Sequence, residues 1–145
     1  SFLDEQDMPL NHSKPRGSLY VMASKDDDMA HAIADAVETF DVPVFGMANT
    51  SHEKVYKDER GLNFISEFYA DLDYDENGKL VIAKGKNAKY DAKIATDRVM
   101  RALSEKKVTN TVGKDIDVGC DTICVHSDTP NAVEIIKGIK SAINK

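Results

Sequence analysis

The chain has no continuous apolar run near the ~18 residues of a membrane span, no Gly-rich phosphate loop and no run of basic residues. The first absence excludes a membrane-spanning helix. The second leaves nucleotide binding by this chain without a motif, since neither Gly-x-x-x-x-Gly-Lys nor Gly-x-Gly-x-x-Gly occurs. The third, with 19 Lys and Arg against 25 Asp and Glu and a net charge of −6, makes nucleic acid an unsuitable partner. Five lysines between Lys79 and Lys93 read as a solvated loop. Only two cysteines occur, Cys120 and Cys124. On one extended strand their Cα atoms lie too far apart for a disulfide, so both are read as reduced, buried thiols. The opening stretch from Ser1 to Asp7 carries neither a basic n-region nor an apolar h-region, and a cytoplasmic protein is expected.

What is present suits one ordinary domain, 145 residues with 41% hydrophobic and 30% charged. The stretch from Asp121 to Ile136 organises it. Ile123, Cys124 and Val125 form a short apolar run of the kind found in parallel strands covered on both faces. Thr129 then fits a helix N-cap with Pro130 at the first helical position. Beyond it Val133, Ile136, Gly138, Ile139 and Ile143 recur at helical spacing. His126, Ser127 and Asp128 fall on the loop outside the carboxyl end of the strand, the end at which α/β folds bind ligands.

The rest of the chain alternates in the same way. Leu10 to Lys14 is a short strand candidate stopped at Pro15-Arg-Gly17, with Leu19 to Met22 apolar beyond it. Ser24 and Asp27 match a capping box, followed by a helical face of Met29, Ile33, Ala36, Val37 and Phe40. Val42 to Met47 reads as a buried strand, Ser51 to Arg60 as a polar helix closed by Gly61, and Leu62 to Tyr69 as the next strand. Asn77-Gly78 marks a small hairpin ahead of Leu80. A helix follows from about Asp91, with Ile94, Ala95, Val99, Ala102 and Leu103 on one face and Lys106-Lys107 at its negative end. Val108 to Val118 forms a second hairpin around Gly113-Lys114. This rhythm predicts a single α/β domain, a parallel sheet with crossover helices. A closed barrel needs about eight strands and ~250 residues, so the alternatives are a small open sheet or the later part of a barrel.

Three blocks carry a family resemblance: Lys14-Pro-Arg-Gly-Ser-Leu-Tyr20, Glu67-Phe-Tyr-Ala-Asp71 followed by Tyr74, and Asp121-Thr-Ile-Cys-Val-His-Ser-Asp-Thr-Pro130. In order and spacing they resemble successive motifs of the LamB/YcsF lactam-utilisation family, whose bacterial members form the A subunit of ATP-dependent 5-oxoprolinase. The resemblance spans essentially the whole chain. It implies the C-terminal portion of a (β/α)7 barrel of the deacetylase-like type, a partial barrel. It further implies one component of a cyclic amide hydrolase that takes a small-molecule lactam, with ATP and Mg²⁺ supplied through partner subunits. The family's N-terminal Gly-Phe-His and His-Pro-Gly segments have no counterpart here. Within the matching blocks, Arg16 stands where the family has His, Leu72 where it has Arg, and Tyr90 where it has His.

Ring opening of a stable lactam needs an activated carbonyl, a delivered nucleophile and a proton for the leaving nitrogen. The candidates for this work are His126 as acid–base group, Asp128 to orient it or hold a water, and Lys14 to hold a carboxylate or phosphate oxygen. Arg16, Gly17, Glu67, Asp71 and Tyr74 are the substrate-binding candidates. Each has a plainer alternative: His126 capping its own loop, Lys14 solvated, and Glu67 with Asp71 an ordinary surface pair. His12 could face inward from its strand, whereas His31 and His52 are expected on helices and solvated. No metal site is assigned, because ligation needs three or four converging side chains.

Three functions follow as expectations. The first is the lactam-opening enzyme component. The second is a family-derived binding or interaction protein without catalysis, suggested by Arg16, Leu72 and Tyr90. The third, a metal-dependent carbohydrate deacetylase-like hydrolase, rests on fold analogy alone. A part-barrel would leave strand edges and apolar faces bare, so a homo-oligomer or pairing with an N-terminal fragment is expected.

Overall fold

The computed structural model describes residues 2–82 and 91–145. The middle of the lysine-rich stretch and Tyr90 lie outside the described residues. The chain divides into two compact units, Ser1–Ile65 and Ser66–Lys145, each described by itself.

The first unit runs through α1 (Phe2–Glu5), α2 (Gly17–Ala23), α3 (Asp27–Glu38), β1 (Val44–Gly46) and a π-helical segment, Glu53–Glu59. The expected strand at Leu10 to Lys14 is reduced to one parallel bridge between Ser13 and Val44. Ser13 N–H donates to the Pro43 carbonyl at 2.8 Å and Phe45 N–H to Ser13 at 3.0 Å. With Leu10 exposed, no second inward side chain extends the ladder. The apolar stretch Leu19 to Met22 is the body of α2. Gly17 enters it at φ +58, a conformation open to glycine, and Tyr20 and Ala23 turn inward three residues apart.

The capping box also moves. Ser24 donates its hydroxyl back to the Val21 carbonyl at 2.7 Å, closing α2, and Asp26 caps α3 by accepting from Met29 N–H at 3.0 Å. The buried face of α3 is Ala30, Ala34 and Val37, while Phe40 and Ala36 are exposed. Of the expected stripe, Val37 is buried and Met29 and Ile33 are half-buried, so the face is shifted toward the alanines rather than lost. These small residues bring α3 close to Val44, Val55 and Tyr56, with Ile33, Leu62 and Phe64 at the margin.

In place of an ordinary α-helix at Ser51 to Arg60, the backbone widens into π geometry, as in the bond from Arg60 N–H to the Val55 carbonyl at 3.0 Å. The chain leaves it through Gly61 at φ +64. This segment buries His52 at its start, contrary to the solvated position expected. The imidazole lies between Tyr20, edge-on at 4.6 Å, and Tyr56, stacked at 5.3 Å, and its Nδ1 accepts from Met47 N–H at 3.1 Å. Gly46 is required opposite it, since a Cβ there would stand 2.8 Å from the His52 Cβ and 2.7 Å from Phe64 Cε2.

The second unit contains most of β2 (Phe64–Tyr69), then β3 (Asp73–Tyr74), β4 (Leu80–Val81), α4 (Ala92–Glu105), β5 (Lys107–Thr109), β6 (Asp115–Asp117), β7 (Thr122–Cys124) and α5 (Ala132–Ile143). β2 and β7 are parallel, in the register Glu67 to Thr122, Phe68 to Ile123 and Tyr69 to Cys124. Asp121 locks this register from below: its carboxylate accepts from Ser66 N–H at 3.0 Å and from the Ser66 hydroxyl at 2.6 Å. The two expected hairpins form, β3 with β4 around Gly78 at φ +73 and β5 with β6 around Gly113 at φ +79. Asp91 caps α4 by accepting from Ile94 N–H at 2.8 Å.

Helix α4 turns Ala95, Val99 and Ala102 inward, and α5 turns Ala132, Ile135 and Ile139 inward. Of the stripe expected on α5, Val133, Ile136 and Ile143 are exposed and only Ile139 is buried. The helix starts later than expected, with Asn131 rather than Thr129 at its N-cap. Gly138 fixes the close approach to α4, for a Cβ there would meet Thr96 Oγ1 at 2.7 Å. Both cysteines are free thiols: Cys120 is buried, and burial pushes it up to about 11, whereas Cys124 is half-buried. Among the described residues no helix is long and apolar enough to cross a membrane.

Candidate functional site

The register of β2 and β7 decides which side chains meet. Tyr69 pairs with Cys124, and the ladder ends one step on, where Ala70 N–H donates to the Cys124 carbonyl at 3.0 Å. Two residues past the paired positions stand Asp71 on one strand and His126 on the other. They are therefore neighbours at the carboxyl ends of two parallel strands, though 55 positions apart in the chain. Asp71 accepts from His126 N–H at 2.8 Å, from His126 Nδ1 at 3.0 Å and from the Thr129 hydroxyl at 2.6 Å.

This arrangement fixes a protonation pattern. Burial alone pushes the Asp71 carboxyl up, but the hydrogen bonds from the His126 ring, the Thr129 hydroxyl and the His126 amide together hold it below its ordinary value of 3.8. Asp71 is thus an ionised acceptor at neutral pH. Nδ1 of His126 must then be the donor, which leaves Nε2 as the ring nitrogen able to accept a proton. None of the Asp71 side chain is exposed, against 37% of the His126 side chain. The carboxylate is shut in and the imidazole it orients reaches the surface of the unit.

Tyr69 completes the surroundings. Its ring stacks on His126 at 5.6 Å with 21° between planes, and its hydroxyl donates to Glu67 Oε2 at 3.1 Å. Glu67 and Tyr69 are two apart on β2 and so share a face. Tyr74 lies behind the strand: its hydroxyl accepts from Tyr69 N–H at 3.0 Å and its ring stacks on Phe68 at 5.7 Å. Burial raises its phenol well above the ordinary range, so it stays protonated.

The other sequence candidates fall as follows. Asp128 is exposed, and the carboxylate that orients His126 is Asp71. Glu67 and Asp71 do not act on a shared partner in the contacts above: one meets Tyr69, the other His126 and Thr129. Thr129, expected as a helix cap, spends its hydroxyl on Asp71, which is the residue role that sequence reasoning missed. Lys14, Arg16 and Gly17 belong to the first unit. There the Lys14 ammonium stands 5.7 Å over the Tyr20 ring, and Arg16 precedes α2 in extended conformation, without a side-chain capping bond. His12 is exposed and stacked on Phe45 at 4.2 Å, and His31 pairs with Glu59 at 2.8 Å. Among the described residues no three His, Cys, Asp or Glu side chains gather to hold a metal ion.

A family model described as LamB/YcsF matches residues 1–145. The chain belongs to the LamB/YcsF family. It is 37% identical to the protein from Campylobacter jejuni subsp. doylei named as the A subunit of 5-oxoprolinase, over 99% of this chain and 57% of that protein. It is 40% identical to the Staphylococcus haemolyticus protein of the same name, over 94% of this chain and 55% of the other. A lactam utilization protein lamB from Emericella nidulans is 38% identical over 99% of this chain and 57% of its own length. The crystal structure of a lactam utilization protein from Thermus thermophilus superposes with a TM-score of 0.83 at 32% identity, covering 99% of this chain and 57% of that one. The LamB/YcsF chain described here thus spans a little over half the length of the relatives it matches. Its mixed α/β architecture, a parallel sheet with helices, is that of the Thermus protein over the shared length.

Proposed function

We propose that this chain carries the acid–base centre of the reaction to which the A subunit of 5-oxoprolinase contributes, the opening of a small lactam such as 5-oxoproline to its amino acid. The observation that carries the reading is the Asp71–His126 pair, set at the carboxyl ends of two parallel strands in a chain of the LamB/YcsF family. With Nδ1 held by Asp71, Nε2 of His126 takes a proton from water as its oxygen adds to the lactam carbonyl carbon. It then returns that proton to the ring nitrogen as the C–N bond breaks. Asp71 holds the imidazole in one tautomer and stabilises the imidazolium between the two steps. Glu67, held by the Tyr69 hydroxyl on the same side of β2, supplies an acceptor for the lactam N–H.

ATP, Mg²⁺ and the further subunits belong to the reading as partners of this chain. Its described residues hold no phosphate loop and no gathered metal ligands, so no step here runs through either group. The remaining length of the relatives fits a (β/α)7 barrel of which this chain is one part, in the cytoplasm. The protein, combined with partner subunits, ATP and Mg²⁺, is expected to convert 5-oxoproline to glutamate, followed by the amino acid released. Absence of glutamate under those conditions removes the substrate from the proposal.

One observation favours a second reading, a binding protein without turnover. Arg16 stands where the family motif has His, and a guanidinium exchanges no proton at neutral pH. Under that reading Arg16→His gives no gain in turnover while lactam binding persists.

A further inference from the structure

We propose that Arg98 is a positioning residue for the Asp71–His126 pair, holding the bend that carries Asp71 by its two flanking carbonyl groups. The inference rests on the reading of that pair as the acid–base centre, and deepens it. Asp71 lies beyond the last residue of β2 and before the first of β3, where no sheet ladder fixes its backbone. Its side chain is gripped by His126 and Thr129, but those bonds place the carboxylate only if the Asp71 Cα is already in position.

Arg98 supplies that placement from α4. Its Nη1 donates to the Ala70 carbonyl at 3.3 Å and its Nη2 to the Leu72 carbonyl at 2.7 Å, the residues immediately before and after Asp71. Nη1 also lies 3.8 Å from Asp73 Oδ1, and the guanidinium carbon stands 5.9 Å over the Phe68 ring. A planar guanidinium meets the two carbonyls with two separate nitrogens in a fixed fork, whereas a lysine has one nitrogen to share between them. The side chain is 14% exposed, so these bonds are made largely out of water. The acceptors at 70 and 72 are backbone groups. Leu72 in place of the family's Arg therefore leaves the clamp intact.

The chemistry is sensitive to such placement, since a shift of about 1 Å at a reacting group costs on the order of 100-fold in rate. The test compares Arg98→Met and Arg98→Lys with Arg101→Met, all three on α4. Arg101 pairs with Glu105 and Asp115, away from the bend. Two readings are taken: the proton resonance of His126 Nδ1–H, shifted downfield by its bond to a carboxylate, and the kcat and KM for 5-oxoproline. Arg98→Met is expected to lose the resonance and to lower kcat by about 10- to 100-fold with KM within about 2-fold of wild type. Arg98→Lys should fall between, and Arg101→Met should change neither reading.

Retention of both the resonance and kcat in Arg98→Met overturns the proposal, as does an equal loss in Arg101→Met. If Arg98→Met does not fold, Arg98→Lys carries the same comparison. Should wild type show the resonance without turning over 5-oxoproline, the functional reading fails, and the positioning of Asp71 is then judged on the resonance alone.

Discussion

Under the proposed function, Asp71→Asn is expected to lower kcat for 5-oxoproline by roughly 100-fold or more, with KM little changed and the fold kept. Asparagine has the shape of aspartate, and its Oδ1 still accepts from His126 N–H and from Thr129. What it lacks is the charge that makes His126 Nδ1 a donor and that stabilises the imidazolium. With that oxygen on His126 N–H and Thr129, the amide NH2 faces His126 Nδ1 and favours the tautomer with its proton on Nε2, so the loss combines the wrong tautomer with the missing charge. The measurement is steady-state kinetics of Asp71→Asn beside Thr129→Val. The second variant removes one neutral bond to the carboxylate and is expected to cost about 10-fold at most. Equal losses in the two would show that packing, not charge, is at stake.

The same carboxylate ties stability to pH. Its folded value is lowered, so it contributes stability that is fully present above the ordinary 3.8 and is lost as pH falls through the lowered value. Asp71→Asn should accordingly flatten the acid limb of the unfolding curve of the second unit.

His52→Ala is expected to produce the largest loss of stability in the first unit, roughly 3 kcal/mol or more. The ring is fully buried between Tyr20 and Tyr56, and its removal opens a cavity against both. It also strips the Met47 N–H of its acceptor at a buried position. His52→Asn, which places an oxygen near the position of Nδ1, should recover part of that loss. Denaturant unfolding of the two variants measures the difference, and equal midpoints would show that the hydrogen bond to Met47 contributes nothing.

Local signals were legible in the sequence where one short stretch determines its own geometry. Asn77-Gly78 and Gly113 marked the hairpins, and Asp91 the start of α4, because turn and cap chemistry need only neighbours. Placing His126 beyond the carboxyl end of β7 needed only the apolar run before it. The partner of His126 was not legible: it depends on the pairing of Tyr69 with Cys124, a register set from Asp121 and Ser66 at the far end of the strands. Thr129 shows the same limit. Its sequence context, with Pro130 next, fits an N-cap, but the hydroxyl finds a buried carboxylate from another strand, and the helix cap falls two residues later. Helix faces failed for a different reason. On α5 a stripe drawn by bulk falls on Val133, Ile136 and Ile143, which remain exposed, while on α3 the buried face includes Ala30 and Ala34 beside the expected Val37.

The central claim is that Asp71 and His126 act as one unit, and a double-mutant cycle on turnover of 5-oxoproline tests it most directly. His126→Ala, Asp71→Asn and the double variant are each assayed with partner subunits, ATP and Mg²⁺. If the carboxylate acts only through the imidazole, the double variant is no slower than His126→Ala alone; losses that multiply would contradict the account.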